Sequence, residues 1–243
     1  MTDPAAPRVW AVVPAAGVGR RMAAPVPKQY LPLLEHPVMD WSLHALLMEP
    51  RVAGAVVALG DDDNWWRGRE ALAGKALYRV RGGRERADSV LACLRFLVAE
   101  LAGHDDWVLV HDAVRPCLTP SALARLLDLG LGHADGALLA VPVRDTLKQG
   151  GRDGTVRHTT PRDALWQAQT PQLFPLGALL NALRDAHDQG VLVTDEAQAM
   201  EHAGYAPLLV EGDSTNLKIT RPGDLPLAES ILRARGGSRA PEE

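Results

Sequence analysis

Short apolar runs alternate with amphipathic helical patterns along most of this 243-residue chain, and that alternation limits the folds open to it. RVWAVVP (8–14), VAGAVVAL (52–59), ALYRV (76–80), WVLVHD (107–112), GALLAVPV (136–143) and PLLVEG (207–212) read as strands. Several are apolar at nearly every position, as expected of parallel strands buried on both faces. Between them, VMDWSLHALLMEP (38–50), RADSVLACLRFLVAEL (86–101), TPSALARLLDLG (119–130), TDEAQAMEHAG (194–204) and a last segment near 222–234 carry helix patterns. Thr119 and Thr194 are natural N-caps, Pro120 suits a first helical position, and Asp195 and Glu196 favour the positive helix start. Gly130 and Gly204 close their patterns. The order predicts a doubly wound α/β sheet with right-handed crossovers. Ligands of such sheets bind beyond the carboxyl ends of the strands. That rule singles out the loops beginning at Pro14, Arg81, Asp112, Arg144 and Gly212.

One stretch breaks the alternation. In residues 144–165, DTLKQ and TVRHT flank GGRDG, which reads as a β-hairpin or an extended arm. A two-stranded ribbon is marginal in water, so the arm should pack on something, and a second subunit is the obvious candidate. Residues 1–235 are expected to form one domain that includes this arm, with 236–243 a disordered tail.

Composition excludes several classes. A net charge of −4 is wrong for a nucleic-acid binder that relies on bulk electrostatics, so any anion site must be local. Cys93 and Cys117 form neither a metal motif nor a disulfide framework and fit a reducing cytoplasm. The N-terminus lacks the layout of a signal peptide. The longest apolar run, VAGAVVAL, falls far short of the roughly 18 residues that span a bilayer.

The loops carry the chemistry. After the first strand comes AAGVGRRM, with PKQY close behind. The third glycine of a dinucleotide fingerprint would fall at Met22, and no glycine–lysine–serine/threonine run makes a P-loop. What remains is a small-residue loop whose backbone N–H groups can approach an anion, with Arg20, Arg21 and Lys28 supplying charge. From spacing alone, a basic surface turn and a phosphate site are equally open. RGGRERADS (81–89) adds a second glycine pair at a strand end, with Arg86 and Ser89 in reach of a ligand and Asp88 or Ser89 free to cap the helix. In VLVHDAVRP (108–116), Asp112 stands at a strand end where a divalent ion could sit. His111 points the opposite way along an alternating strand and reads as a packed structural residue. NLKITRPGDL (216–225) places Asn216 and Lys218 after a strand.

Taken together, PAAGVGRRM, PKQY, GGRERADSV, VLVHDAVRP, PVRDTLK, LWQAQTPQLF, TDEA and NLKITRPGDL resemble the 2-C-methyl-D-erythritol 4-phosphate cytidylyltransferases, in order and spacing, from about Val9 to the last helix. The resemblance implies a Rossmann-like nucleotidyltransferase fold, a homodimer, CTP and a divalent cation, usually Mg2+. Carried over motif by motif, Ala15, Ala16, Gly17, Gly83, Arg86, Ser89, Asp112 and Ala113 would bind the nucleotide. Arg21 and Lys28 would hold the triphosphate and its departing pyrophosphate, Lys218 the α-phosphate, and Asp112 the metal. Thr146, Arg162, Arg115 and Thr170 would bind methylerythritol phosphate. Two positions depart from the family pattern. Arg84 stands where an acid usually follows the glycine pair, and Thr215 where an acid often precedes the asparagine, with Asp213 two residues earlier.

The implied reaction is in-line attack of a phosphate oxygen on the α-phosphorus of CTP. A phosphate monoester has a second pKa of about 6, so the nucleophile is ionised at neutral pH and needs no general base. Catalysis then reduces to positioning two anions and neutralising charge on the leaving pyrophosphate. The alternatives are a sibling enzyme acting on ribitol 5-phosphate and a nucleotide-binding regulatory module without turnover.

Overall fold

The computed structural model describes residues 7–17, 26–66 and 69–236. In chain order the strands are β1 (Val9–Pro14), β2 (Pro32–Leu33), β3 (His36–Pro37), β4 (Val52–Leu59), β5 (Ala71–Leu72), β6 (Lys75–Arg81), β7 (Trp107–Val110), β8 (Ala137–Pro142), β9 (Leu147–Gly150), β10 (Val156–Thr160), β11 (Trp166–Pro175) and β12 (Leu208–Glu211). The helices are α1 (Val38–Leu47), α2 (Arg86–Glu100), α3 (Pro120–Gly130), α4 (Leu176–Asp188), α5 (Glu196–His202) and α6 (Asp224–Ala234). A short 3-10 turn covers Lys28–Tyr30.

Eight strands form one sheet in the order β12-β8-β11-β7-β1-β4-β6-β5. β1 pairs in parallel with β4 and β7, β4 with β6, and β8 with β12. Alternation along β1 assembles the two layers. Val9, Ala11 and Val13 pack with Leu43 and Leu46 of α1 and with Leu123 and Leu126 of α3. Trp10 and Val12 face the other way, onto Leu94 and Leu97 of α2 and Leu179 and Leu183 of α4. Because both faces are covered, β1 and β4 can be apolar nearly throughout, as the doubly wound reading requires. A satellite cluster of Leu33, Trp41, Cys117, Ile219 and Leu232 seats α6 beside β2 and β3.

The six strands read from sequence all form, and so do the five helices. The arm is a hairpin of β9 antiparallel to β10. Thr119 caps α3 as expected, its hydroxyl oxygen accepting from Ala122 N at 3.2 Å, with Pro120 at the first helical position.

Three expectations are corrected. The strand of 107–112 stops at Val110: His111 N still donates to Val12 O of β1 at 2.9 Å, but Asp112 turns its backbone N–H to Thr170 instead. The cap of α5 is Asp195 rather than Thr194: Asp195 Oδ1 accepts from Gln198 N at 3.0 Å, while Gln198 Oε1 accepts from Thr194 N at 2.6 Å. Asp195 is one residue closer to the helix, which puts its carboxylate within reach of the third helical N–H. The largest omission is β11 with α4. This ten-residue strand runs antiparallel between β7 and β8, near the centre of a sheet read as mostly parallel. The expected tail lies outside the described residues, apart from Gly236.

Candidate active site

Two glycine-containing loops meet at the carboxyl ends of β1 and β6. Ala15 N donates to Ala58 O at 2.8 Å, and the buried Gln29 returns to the same point, its Nε2 donating to Ala15 O at 2.8 Å. Lys28 is thereby carried to the cavity by the short turn at 28–30. Across from it, a Cβ on Gly82 would lie 2.5 Å from the Ala16 Cβ, and one on Gly83 would lie 2.2 Å from the Asp88 Cβ. The pair is glycine because the two loops and the start of α2 leave no room for a side chain.

Ser89 fixes this second loop from beneath. Its hydroxyl accepts from Gly83 N at 3.1 Å and donates to Glu85 O at 3.2 Å. Neither residue considered as a cap is the N-cap of α2, which is Glu85; Asp88, at the third helical position, completes a capping box, its carboxylate accepting from Glu85 N at 3.1 Å.

The floor is Asp112, 6% exposed, just beyond β7. Its backbone N–H donates to Thr170 Oγ1 at 3.0 Å. The Thr170 hydroxyl lies 3.0 Å from His111 Nδ1, and His111 Nε2 lies 3.2 Å from Arg115 O. These partners assign the Nε2-protonated tautomer, with Thr170 donating to Nδ1. Burial, outweighing the nearby Asp112 charge, pushes the His111 pKa down to about 4. His111 is therefore the neutral packed residue its position implied.

Three cations converge on the Asp112 carboxylate. Arg86 Nε donates to Oδ1 at 3.0 Å, Lys218 Nζ lies 2.8 Å from Oδ2, and Arg115 Nε lies 3.6 Å from the same oxygen. Burial alone would raise this carboxyl, but Arg86, Lys218 and Arg115 together hold it well below the usual carboxylate range. Arg86 is also gripped from behind: its two terminal nitrogens donate to the two oxygens of Glu196 at 2.6 and 2.9 Å. Burial lowers the Arg86 guanidinium, yet Glu196 and Asp112 overcome that and raise it. Arg115 Nη1 donates to Asn216 O at 2.7 Å, and Asn216 Nδ2 donates to Thr170 O at 2.9 Å, which ties Lys218's loop to β11.

Two cavities, each of about 170 Å³, share this floor. The first is bounded by the two loops and brings together ten of the expected residues: Ala15, Ala16, Gly17, Lys28, Gly83, Arg86, Ser89, Asp112, Ala113 and Lys218. The second opens on the β11 side, where Arg115 and Thr170 line it with Thr194 and Asp195. Arg86, Asp112 and Lys218 border both. Thr146 and Arg162 line neither, both being exposed at the ends of the arm. Arg20 and Arg21 lie outside the described residues. Arg84 borders the first cavity. Thr215 instead accepts from Arg235 at 2.5 Å, and Asp213 pairs with Thr119, so neither adds a carboxylate to the floor.

Reading the sequence missed Gln29 and Glu196. Gln29 sits inside PKQY beside Lys28, but neither its burial nor its bond to Ala15 is visible in the sequence. Glu196 was read as a helix-start charge, and nothing local could reveal a partner 110 residues away.

A scan against family models matches residues 9–234 to 2-C-methyl-D-erythritol 4-phosphate cytidylyltransferase (IspD). A protein of that name from Halorhodospira halophila is 54% identical over 240 residues, covering 97% of this chain and 98% of the relative. A crystal structure of 4-diphosphocytidyl-2C-methyl-D-erythritol synthase superposes with a TM-score of 0.81 at 36% identity, over 93% of this chain and 99% of that one. The Francisella tularensis 2-C-methyl-D-erythritol 4-phosphate cytidylyltransferase gives 0.79 at 33% identity, over 93% and 100%. The Rossmann-like nucleotidyltransferase architecture agrees with these structures. With a matching family model across nearly its whole length and a relative more than half identical, the chain belongs to the 2-C-methyl-D-erythritol 4-phosphate cytidylyltransferase family.

Proposed function

We propose that the shared floor is where this chain transfers the cytidylyl group of CTP to 2-C-methyl-D-erythritol 4-phosphate, giving 4-diphosphocytidyl-2-C-methyl-D-erythritol and pyrophosphate. The observation that carries the reading is the pair of cavities meeting at Arg86, Asp112 and Lys218, which lets two phosphate-bearing molecules reach one shared set of cations. The loops around Ala15, Ala16, Gly17 and Gly83, with Ser89 beneath and Ala113 opposite, offer backbone groups to the nucleotide. Lys28 and Arg21 hold the triphosphate and then the pyrophosphate. Lys218 neutralises the α-phosphate, while Arg115 and Thr170 receive the second substrate.

The incoming phosphate is its own nucleophile, in keeping with a site whose one buried histidine has both ring nitrogens engaged. Guanidinium and ammonium groups then supply the stabilisation that in-line displacement requires.

A divalent ion suits the donor set only in company with the substrate. Among the described residues no three metal-ligating side chains cluster, and Asp112 is a single carboxylate. Magnesium keeps water and typically takes one or two carboxylates plus substrate phosphates, so one carboxylate at the floor is enough. Asp112 would hold it, and when bound it would screen charge across the phosphates.

The arm and its surroundings support a homodimer. None of residues 147–160 is buried. Beside the arm, Trp166, Tyr205 and Leu209 line a cavity of about 440 Å³ and are exposed apolar side chains that a second copy would cover. Thr146 and Arg162 would then reach the methylerythritol phosphate of the partner's site. The buried free thiols of Cys93 and Cys117 suit a cytoplasmic setting, and no helix among the described residues is long and apolar enough to cross a membrane.

Pyrophosphate release from CTP tests the reading. Turnover is expected with methylerythritol phosphate, not with ribitol 5-phosphate, which the relatives' names do not favour. UTP should be a poor donor, because a pocket built to pair with polar groups rejects a mismatched pattern sharply. Release with ribitol 5-phosphate alone, or equal rates with UTP, would overturn the substrate assignment.

A further inference from the structure

Glu196 is 1% exposed and lines neither cavity, yet it meets Arg86 in a charged contact of 2.6 Å. Its two oxygens take both terminal nitrogens of Arg86, while Arg86 Nε goes to Asp112. A guanidinium has five N–H donors, so three are committed to carboxylates and turned away from any ligand. The charge balance matters as much as the geometry. Arg86, Arg115 and Lys218 face Asp112 and Glu196, which leaves the cluster one net positive charge. With Glu196 neutralised, Asp112 would face all three cations, and the wall shared by both cavities would gain a second positive charge.

We propose that Glu196 is a positioning residue that acts through Arg86: it holds the guanidinium against Asp112 and limits the site's grip on pyrophosphate, so that the product leaves. A site that must bind a triphosphate yet release pyrophosphate cannot maximise its positive charge. Binding ground state, product and transition state equally tightly adds nothing to turnover. A buried carboxylate behind an arginine tempers that charge without obstructing either cavity. This inference rests on the cytidylyltransferase reading of the site.

The test measures pyrophosphate binding by calorimetry and as product inhibition against CTP. Glu196→Gln, nearly isosteric, is expected to tighten pyrophosphate binding about tenfold, as removal of one nearby low-dielectric charge implies. KM for CTP and kcat should fall together, because product is retained. Glu196→Asp keeps the charge but shortens its reach, and should lie between the wild type and Glu196→Gln. In an Arg86→Gln background, Glu196→Gln should tighten pyrophosphate binding much less, because the guanidinium it would unmask is gone. Unchanged or weaker pyrophosphate binding in a folded Glu196→Gln protein overturns the proposal, as does tightening that is undiminished without Arg86. Should Glu196→Gln not fold, wild-type affinity in Glu196→Asp overturns it instead. A wild-type protein that neither binds pyrophosphate nor releases it from CTP defeats the site reading itself, and this inference with it. An active wild type with unresponsive variants defeats this inference alone.

Discussion

Replacing Thr170 by valine removes one oxygen atom from a position 4% exposed and keeps the side chain's shape. That oxygen serves two buried neighbours at once: it accepts from Asp112 N at 3.0 Å and meets His111 Nδ1 at 3.0 Å. The valine leaves a buried donor and a buried acceptor unpaired, each costing about 1–3 kcal/mol. A loss of ~3 kcal/mol is a conservative total, and for a chain of this size it lowers Tm by roughly 6–12 °C. Urea unfolding should show a lower midpoint with the same m-value, since the exposed surface does not change. Turnover should fall as well, because the backbone that places Asp112 loses its anchor. Thr170→Ser restores the hydroxyl and should recover all but about 1 kcal/mol of the stability, the worth of one buried methyl group. A valine variant with wild-type Tm and urea midpoint would refute the chain from His111 through Thr170 to Asp112, and a raised KM for methylerythritol phosphate alone would assign the hydroxyl wholly to substrate.

Lys28→Ala and Arg21→Ala should each cut kcat by about 10²–10³ with little change in Tm, the usual cost of one preorganised charge-stabilising donor; near-normal rates in both would remove the triphosphate assignment. If the arm crosses the proposed two-fold interface, mixing Lys28→Ala with Arg162→Ala chains and allowing exchange should restore activity approaching half per mixed dimer, because one site would carry both lesions and the other neither; a mixture that stays inactive shows that Arg162 works within its own chain. His111 has a folded pKa of about 4 against an ordinary 6.5, so the unfolded chain binds the extra proton first. Its contribution is complete above the unfolded value and is lost as pH falls towards the folded one, about 2 kcal/mol of it by roughly pH 5, so a urea midpoint that stays flat between roughly pH 7 and pH 5 would contradict a buried neutral imidazole.

Apolar runs and helix caps made most of the fold readable before any coordinates, because β1, β4, β7 and β8 are buried on both faces and say so in their composition. β11 hid for the opposite reason. Its buried side chains include Gln169, Thr170 and Gln172, which are satisfied by Asp213, Asp112 and Asp195 rather than by apolar packing. No period-two hydrophobic signal survives, and Pro171 argues against a central strand. The structure reconciles the proline by breaking register with β8 between Ala168 and Gln172, where no ladder bond has to be made. The same break turns Gln169 and Thr170 towards the site. Within the site, residues on strand-end loops could be located by rule, since Ala15, Gly83 and Asp112 each follow a recognisable strand. Partners brought by distant segments could not: the Arg86 grip of Glu196 and the Gln29 anchor are products of tertiary folding.

The place of β11 also has a consequence for synthesis. β7 and β8 are both synthesised before the strand that separates them, and each presents an apolar ladder edge while it waits. Pairing those two edges directly would be rewarding locally and wrong globally, because residues 166–175 could then no longer enter. The nascent chain must therefore keep an opening between them for the time taken to add the arm and then β11, an interval in which translation speed and chaperone access decide how much of the chain reaches its native state.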